Sequence, residues 1–246
     1  MRRVLVSPRA IQSDRVTVTD PRQLHHLLHV LRVRVGDALE CCDGQGRSYA
    51  GQVIHRSSHQ LVVKINARIL KPRQALHVTL APSLIKLDRF EWVVQKATEL
   101  GVDRIVPVVT ARTIVRPSLA QAERRLERWR RIIRQAAQQC GRPSVPDIEP
   151  PQPFARFIAG VNRAASRLVM PTLARTTVAL QEGVAGVAEA GSVIIAIGPE
   201  GDFTPEEVDS AARQGAALVS LGLLTLRSET AAIATLAIVR YASGNL

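Results

Sequence analysis

The sequence predicts a mixed α/β protein in two parts: a small β-barrel carrying one helix over residues 1–72, and a parallel α/β domain over residues 73–246. Three observations predict it. Short strand-like runs punctuated by turn residues fill the first part. From Gln74 onward, apolar runs alternate with segments of helical period, the pattern of a parallel sheet covered by helices on both faces. Between the two patterns lies Lys71-Pro72-Arg73, taken as the boundary.

In the first part the expected strands are Val4–Val6, Arg15–Val18, Asp37–Cys42, Tyr49–Ile54 and Leu61–Ile69, with turns at Asp43-Gly44-Gln45-Gly46 and Ser57-Ser58. One helix interrupts them. Asp20 is its cap and Pro21 its first residue, and Leu24, Leu27, Leu28 and Leu31 follow at helical spacing.

In the second part the expected order is strand His77–Leu80, helix Leu87–Leu100, strand Ile105–Val109, helix Leu119–Gln139 and strand Leu168–Met170. Strand Val193–Ile197, helix Pro205–Gln214, strand Leu218–Leu221 and helix Glu229–Tyr241 complete it. The long helix has an apolar stripe of Leu119, Ala122, Leu126, Trp129, Ile133 and Ala136. Arg124, Arg125, Arg128, Arg131 and Arg134 occupy its other positions, as an open basic face or a salt-bridged one. Five prolines between Pro143 and Pro153 read as a rigid linker rather than a domain boundary.

Composition narrows the function classes. The chain of 246 residues is 46% hydrophobic and 22% charged, the balance of an ordinary globular protein. Its formal charge is +12, and 29 of its 33 basic residues are arginine, which grips phosphate at two points. A polyanionic partner is favoured over an evenly solvated basic surface. The first 72 residues carry 12 Lys+Arg against 5 Asp+Glu, net +7, leaving net +5 for the other 174, so the barrel is the denser positive module. Cys41, Cys42 and Cys140 make neither a metal spacing nor a disulfide framework, as in a reducing cytoplasm. The basic start has no apolar stretch behind it and no run approaches the ~18 residues of a membrane span, so neither export nor membrane insertion is expected.

Several chemistries lose ground by motif. There is no G-x-G-x-x-G after a strand, no G-x-x-x-x-G-K-[ST], no G-x-S-x-G and no H-E-x-x-H. His25 and His29 have the spacing of a metal pair but no third ligand, and read as surface histidines. Two corners remain. The buried run Val193–Ile197 ends in Gly198-Pro199-Glu200-Gly201, followed by a Thr204–Glu207 capping box with Pro205 at the first helical position. The run Leu218–Leu221 ends in Gly222, and Arg227 stands just before the last helix among Ser228, Glu229 and Thr230. One such corner alone is better read as a well-made turn. Two at the carboxyl ends of parallel strands point to a small-molecule site, with Arg227 placed to stabilise an anion. The helix through Lys86, Lys96 and Glu99 ends at Gly101, and its Lys96/Glu99 pair is a surface pair or a buried one that orients a site.

Taken in order, these segments resemble the bacterial 16S rRNA (uracil-N3) methyltransferases, members of the knotted SPOUT superfamily. The similarity runs nearly end to end. It rests on Met1-Arg-Arg-Val-Leu-Val, His26-Leu-Leu-His-Val-Leu-Arg32 with Gly36-Asp37, Lys86 through Gln95-Lys96-Ala-Thr-Glu99-Leu-Gly101, and Arg112 in Thr-Ala-Arg-Thr. It continues through Gln138-Gln139-Cys-Gly141-Arg142 with Val145-Pro146, Ile197-Gly-Pro-Glu-Gly201, Leu221-Gly222 and Leu226-Arg227-x-Glu229-Thr230-Ala231. Two positions depart from the family pattern: Asp202 stands where a second glycine is usual, and Leu224-Thr225 where Arg-Ile is usual.

The resemblance implies an N-terminal PUA-like β-barrel that docks rRNA, a C-terminal α/β SPOUT domain ending in a trefoil knot, a homodimer, and S-adenosyl-L-methionine as cofactor with no metal. It implies cofactor contacts from Met170, Leu173, Ile197, Gly198, Pro199, Glu200, Gly201, Leu221, Gly222, Leu226 and Thr230. Arg227 is the expected catalytic residue, with Glu200 or Glu229 orienting it or accepting the uracil proton. The basic residues inside the matched motifs, Arg3, Arg32, Lys86, Lys96, Arg112 and Arg142, are the expected RNA contacts. Two rivals stand beside this reading: a ribose 2′-hydroxyl methyltransferase of the same superfamily, and a ribosome-assembly factor that binds RNA without methylating it.

Overall fold

The computed structural model describes residues 2–70, 76–174 and 176–245. The chain divides into two compact units, Met1–Arg73 with Ala137–Val145, and Gln74–Ala136 with Pro146–Leu246. The expected boundary at Lys71-Pro72-Arg73 lies outside the described residues.

The first unit contains β1 (Arg2–Leu5), β2 (Ile11–Gln12), β3 (Arg15–Val18), α1 (Pro21–His25), β4 (Ala38–Cys42), β5 (Ser48–Arg56) and β6 (Leu61–Ile69). They form one sheet in the order β1-β4-β5-β6-β3-β2, antiparallel except for the β1–β4 pair. Because β1 and β2 are its edges, the sheet is a curled half-barrel rather than a closed barrel. Two register shifts between β5 and β6 supply local bends, as bulges do. The Asp20 carboxylate accepts the Gln23 N–H at 2.9 Å and Pro21 opens α1, as the sequence predicts. The helix lasts only to His25, after which His26–Val30 widens into a π turn, and it buries Leu24, Leu27 and Leu28. These leucines close a core of alternating strand residues, Val4, Val16, Val18, Leu39, Val53, Leu61 and Val63.

The second unit begins with β7 (His77–Pro82), α2 (Leu87–Glu99), β8 (Arg104–Ile105), β9 (Val108–Val109), α3 (Leu119–Cys140, whose last turn belongs to the first unit), β10 (Asp147–Ile148), β11 (Gln152–Pro153) and α4 (Phe154–Ala159). It continues with β12 (Arg167–Pro171), β13 (Val178–Ala179), α5 (Leu180–Gly183), β14 (Ser192–Ile197), α6 (Pro205–Arg213), β15 (Ala217–Ser220) and α7 (Ser228–Ala242). Seven strands form a wholly parallel sheet in the order β10-β8-β7-β14-β12-β15-β13. Alternate residues of its central strands face opposite layers. Leu168, Met170, Ile194 and Ala196 pack with Phe154 and Phe157 of α4 and Val208 and Ala211 of α6. Helix α7 lies against β7 and β14 and packs on α2. On α3, Leu126, Trp129, Ile133 and Ala136 are buried, with the Trp129 ring centred 4.6 Å from that of Phe90 of α2 and tilted 43° to it, whereas Leu119 is exposed.

Two expectations are corrected. The run Ile105–Val109 is two strands, because Pro107 has no N–H to continue a ladder: β8 stays in the main sheet and β9 pairs with β11. The proline-rich stretch is not a plain linker. It carries β10 and β11, and the division between the two units falls within it, at Val145/Pro146.

Arginine 240 anchors the far end of α7. Its side chain is fully buried, with Nη1 donating to the Leu76 carbonyl at 2.9 Å and Nη2 to Asp103 Oδ2 at 2.8 Å and to the Gly101 carbonyl. Asp103 Oδ2 also accepts the Val78 N–H at 2.9 Å, so one ion pair ties the helix to the start of β7.

Candidate active site at the carboxyl edge of the parallel sheet

Strands β14, β12 and β15 are neighbours, so the loops that leave their carboxyl ends emerge side by side. Such an edge is where open α/β sheets bind ligands. The loops enclose a cavity of about 230 Å³, small-molecule sized, with Pro171–Leu173, Ile197–Glu200, Asp202, Ser220–Gly222 and Leu224–Ser228 contributing walls. Gly222 turns the last loop at φ +107°, a left-handed conformation that favours glycine. Gly198 leaves a side chain little room: a Cβ there would lie 3.1 Å from Asp202 Oδ1 and from the Phe203 ring.

The turn after β14 is braced from outside. Thr204 and Glu207 form the expected reciprocal capping box at the head of α6. Arg112 Nη1 donates to the carbonyls of Gly201 at 2.7 Å and Phe203 at 3.2 Å, and the Ala111 N–H donates to Glu207 at 2.8 Å.

Of the expected small-molecule contacts, Leu173, Ile197, Gly198, Pro199, Glu200, Leu221, Gly222 and Leu226 do line the cavity, as does Arg227. Met170, Gly201 and Thr230 do not. Met170 is one residue early and points by strand alternation into the core. Gly201 turns toward Arg112. On α7, Ser228 and Ala231 line the cavity at helical spacing, which leaves Glu229 and the exposed Thr230 off that face.

Arg227 occupies the N-cap position of α7, ahead of Ser228, and its guanidinium has no partner among the described residues. Arg227 does not pair with the nearby Glu229 carboxylate. Glu229 Oε1 lies 3.7 Å from Arg89 of α2, which also approaches Glu200 Oε1 at 3.9 Å. The other Glu229 oxygen, Oε2, is buried and without a hydrogen-bond partner. Arg89 was missed from sequence because its partners are more than a hundred residues away, and no local spacing links them.

The expected RNA contacts divide into committed and open cations. Arg3 Nε donates to Glu40 at 2.8 Å, Lys96 Nζ to Glu99 at 2.9 Å, and Arg142 to Ser144 at 3.3 Å, while Arg112 braces the Gly201 turn. Arg32 and Lys86 are exposed. No group of metal-binding side chains occurs among the described residues, nor any helix long and apolar enough to cross a membrane.

Comparison with known proteins agrees with this architecture unit by unit. A family model described as an RNA methyltransferase domain matches residues 72–240, and one described as an RNA methyltransferase PUA domain matches residues 18–66, which sets the class. The chain is 32% identical to the ribosomal RNA small subunit methyltransferase E of Synechocystis sp., over 96% of this chain and 76% of that protein. Among solved structures it matches a ribosomal RNA small subunit methyltransferase E from Neisseria gonorrhoeae bound to S-adenosyl methionine. The TM-score is 0.84 at 29% identity, covering 98% of this chain and 97% of that one. It also matches a putative methyltransferase from Legionella pneumophila in complex with the bound cofactor SAM, at TM-score 0.83 and 27% identity, covering 98% and 97%. The chain belongs to the ribosomal RNA small subunit methyltransferase E family of RNA methyltransferases.

Proposed function

We propose that this protein transfers a methyl group from S-adenosylmethionine to N3 of a uridine in the 16S rRNA of the small ribosomal subunit. The observation that carries the chemistry is the unpartnered Arg227 guanidinium on the wall of a three-loop cavity at the carboxyl edge of the sheet. The cavity suits the cofactor. Ile197, Leu221 and Leu226 offer apolar walls for an adenine ring, and Glu200 offers negative charge to a cationic ligand. When bound, S-adenosylmethionine supplies an electrophilic methyl group on a good leaving group.

The protein's own task is to make uracil N3 nucleophilic, because the neutral base holds a proton there. Arg227 donates hydrogen bonds to a uracil carbonyl oxygen, where negative charge develops as the proton leaves. Glu200, on the cavity wall, is the preferred acceptor of that proton, and Arg89 approaches both it and Glu229, whose buried Oε2 is unpartnered. The target base leaves its stack to reach these groups.

The same reading takes the first unit as the PUA-like module that docks rRNA through arginine, with affinity falling steeply with salt. It places the protein in the cytoplasm as a homodimer with a knotted C-terminal chain. Exposed Leu223 and Leu224 beside the cavity support a covering partner copy. The position of β15, the last strand, between the earlier β12 and β13 supports a threaded chain end.

The test is methylation of purified small subunits and of naked 16S rRNA with labelled S-adenosylmethionine, followed by nucleoside mass analysis. Base-methylated uridine is the expected product. A ribose-methylated product would replace the base assignment, and RNA binding without methyl transfer would make the protein an assembly factor.

A further inference from the structure

Aspartate 202 is the residue at which this chain departs from a glycine-rich turn, and it sits in left-handed backbone, φ +58°. A non-glycine residue is held in that region only when its surroundings over-determine it. Here they do. The Asp202 N–H donates to the Pro199 carbonyl at 3.0 Å and closes the turn after β14. Its Oδ2 accepts from Thr172 Oγ1 at 2.9 Å and from the Leu173 N–H at 2.7 Å, both in the loop after β12. Its Oδ1 lies over Gly198, where a Cβ would meet it at 3.1 Å. Thr172 is held in turn from the other side, its N–H donating to Val219 of β15 at 3.1 Å. One carboxylate thus joins two cavity loops through Thr172, which is itself tied to the third strand.

We propose that Asp202 is a positioning residue that latches the Thr172–Leu173 loop to the Gly198–Gly201 turn and holds the cavity in its binding-competent shape. The proposal rests on the cofactor reading above for its effect on affinity, but the latch itself does not. A loop released from its latch populates the competent shape only part of the time, and apparent affinity falls by that fraction.

Two variants and two readouts test it. Asp202→Gly removes the carboxylate while relaxing the backbone, so it is expected to fold, and Asp202→Asn keeps an oxygen that can accept both bonds. By calorimetry, Asp202→Gly is expected to weaken S-adenosylmethionine binding about tenfold, and Asp202→Asn by less than about threefold. In turnover the loss belongs in KM for the cofactor, with kcat nearly unchanged. In ligand-free protein, hydrogen exchange at the Leu173 amide is expected to accelerate in Asp202→Gly and not in Asp202→Asn. Thr172→Val, which removes one of the two bonds from outside the turn, should fall between. Unchanged cofactor affinity in Asp202→Gly overturns the proposal. If the wild-type protein does not bind S-adenosylmethionine, the functional reading fails and Leu173 exchange alone decides the latch: faster exchange supports it and unchanged exchange overturns it.

Discussion

The two ends of helix α7 carry arginines in opposite circumstances. Arg240, near its end, is fully buried and held by Leu76, Gly101 and Asp103, whereas Arg227, at its N-cap, stands at a cavity wall with no partner among the described residues. A guanidinium taken out of water must be paired, and once paired it belongs to the fold. One left open at a cavity is free for chemistry. Burial lowers the Arg240 pKa, and the Asp103 carboxylate opposes that pull. The same helix therefore carries a fold-holding arginine at one edge of the parallel sheet and, in the proposed mechanism, the anion-stabilising one at the other.

The contrast can be broken at either end. Arg240→Ala leaves Asp103 without its arginine and should cost about 3–5 kcal/mol in denaturant unfolding, the largest effect expected. A loss under about 1 kcal/mol would mean that the network holds without its cation. Arg227→Ala should lower turnover by about 10²–10³-fold, the range for removing one donor to a developing anion. Its unfolding free energy should stay within about 0.5 kcal/mol of wild type and its cofactor affinity nearly intact. Unchanged turnover would remove Arg227 from the mechanism.

The distinction between committed and open cations extends to the first unit. Arg32→Ala should weaken RNA binding and reduce the salt slope by about one, while Arg3→Ala, whose guanidinium is engaged with Glu40, should act mainly on stability. A salt slope altered equally by both would erase the difference. The smallest effect concerns Asp43. Burial pushes its pKa up, but hydrogen bonds from the Arg47 side chain and from the Arg47 and Gln45 N–H groups outweigh this, leaving it below the usual aspartate value. A depressed carboxylate stabilises the fold above its unfolded pKa of about 3.9, and that contribution is lost as pH falls through the folded value. Wild-type and Asp43→Asn proteins should therefore differ in melting temperature at neutral pH and converge as pH drops below about 4.

Much of the local architecture was legible in the residues. Asp20-Pro21, the Thr204–Glu207 box and the apolar run Val193–Ile197 act through neighbours a few positions away, and each starts its element to within one residue of the reading, although the helix opened by Pro21 ends at His25. The weak elements were not: β10, β11, β13 and α5 are two to four residues long, too short for any period to register. Candidate site residues followed the same rule. Those on the two glycine corners meet at one cavity, whereas Met170 and Thr230 fell one residue or one helical face away. Arg112, an expected RNA contact, hydrogen-bonds the Gly201 turn, a link between positions 89 residues apart that no local spacing shows.

By itself the sequence determined the main capped helices and apolar strands to within a residue or two, the two glycine corners, and that cationic charge is dense in the first part, because these depend on backbone preferences and composition. Only the tertiary structure decided that β14, β12 and β15 are adjacent, which brings their three loops to one cavity. It alone set Arg89 beside Glu200 and Glu229, buried Arg240, and closed Asp202 on Thr172. Strand order is set by which apolar faces can be buried together across the whole unit, and no local period records that choice.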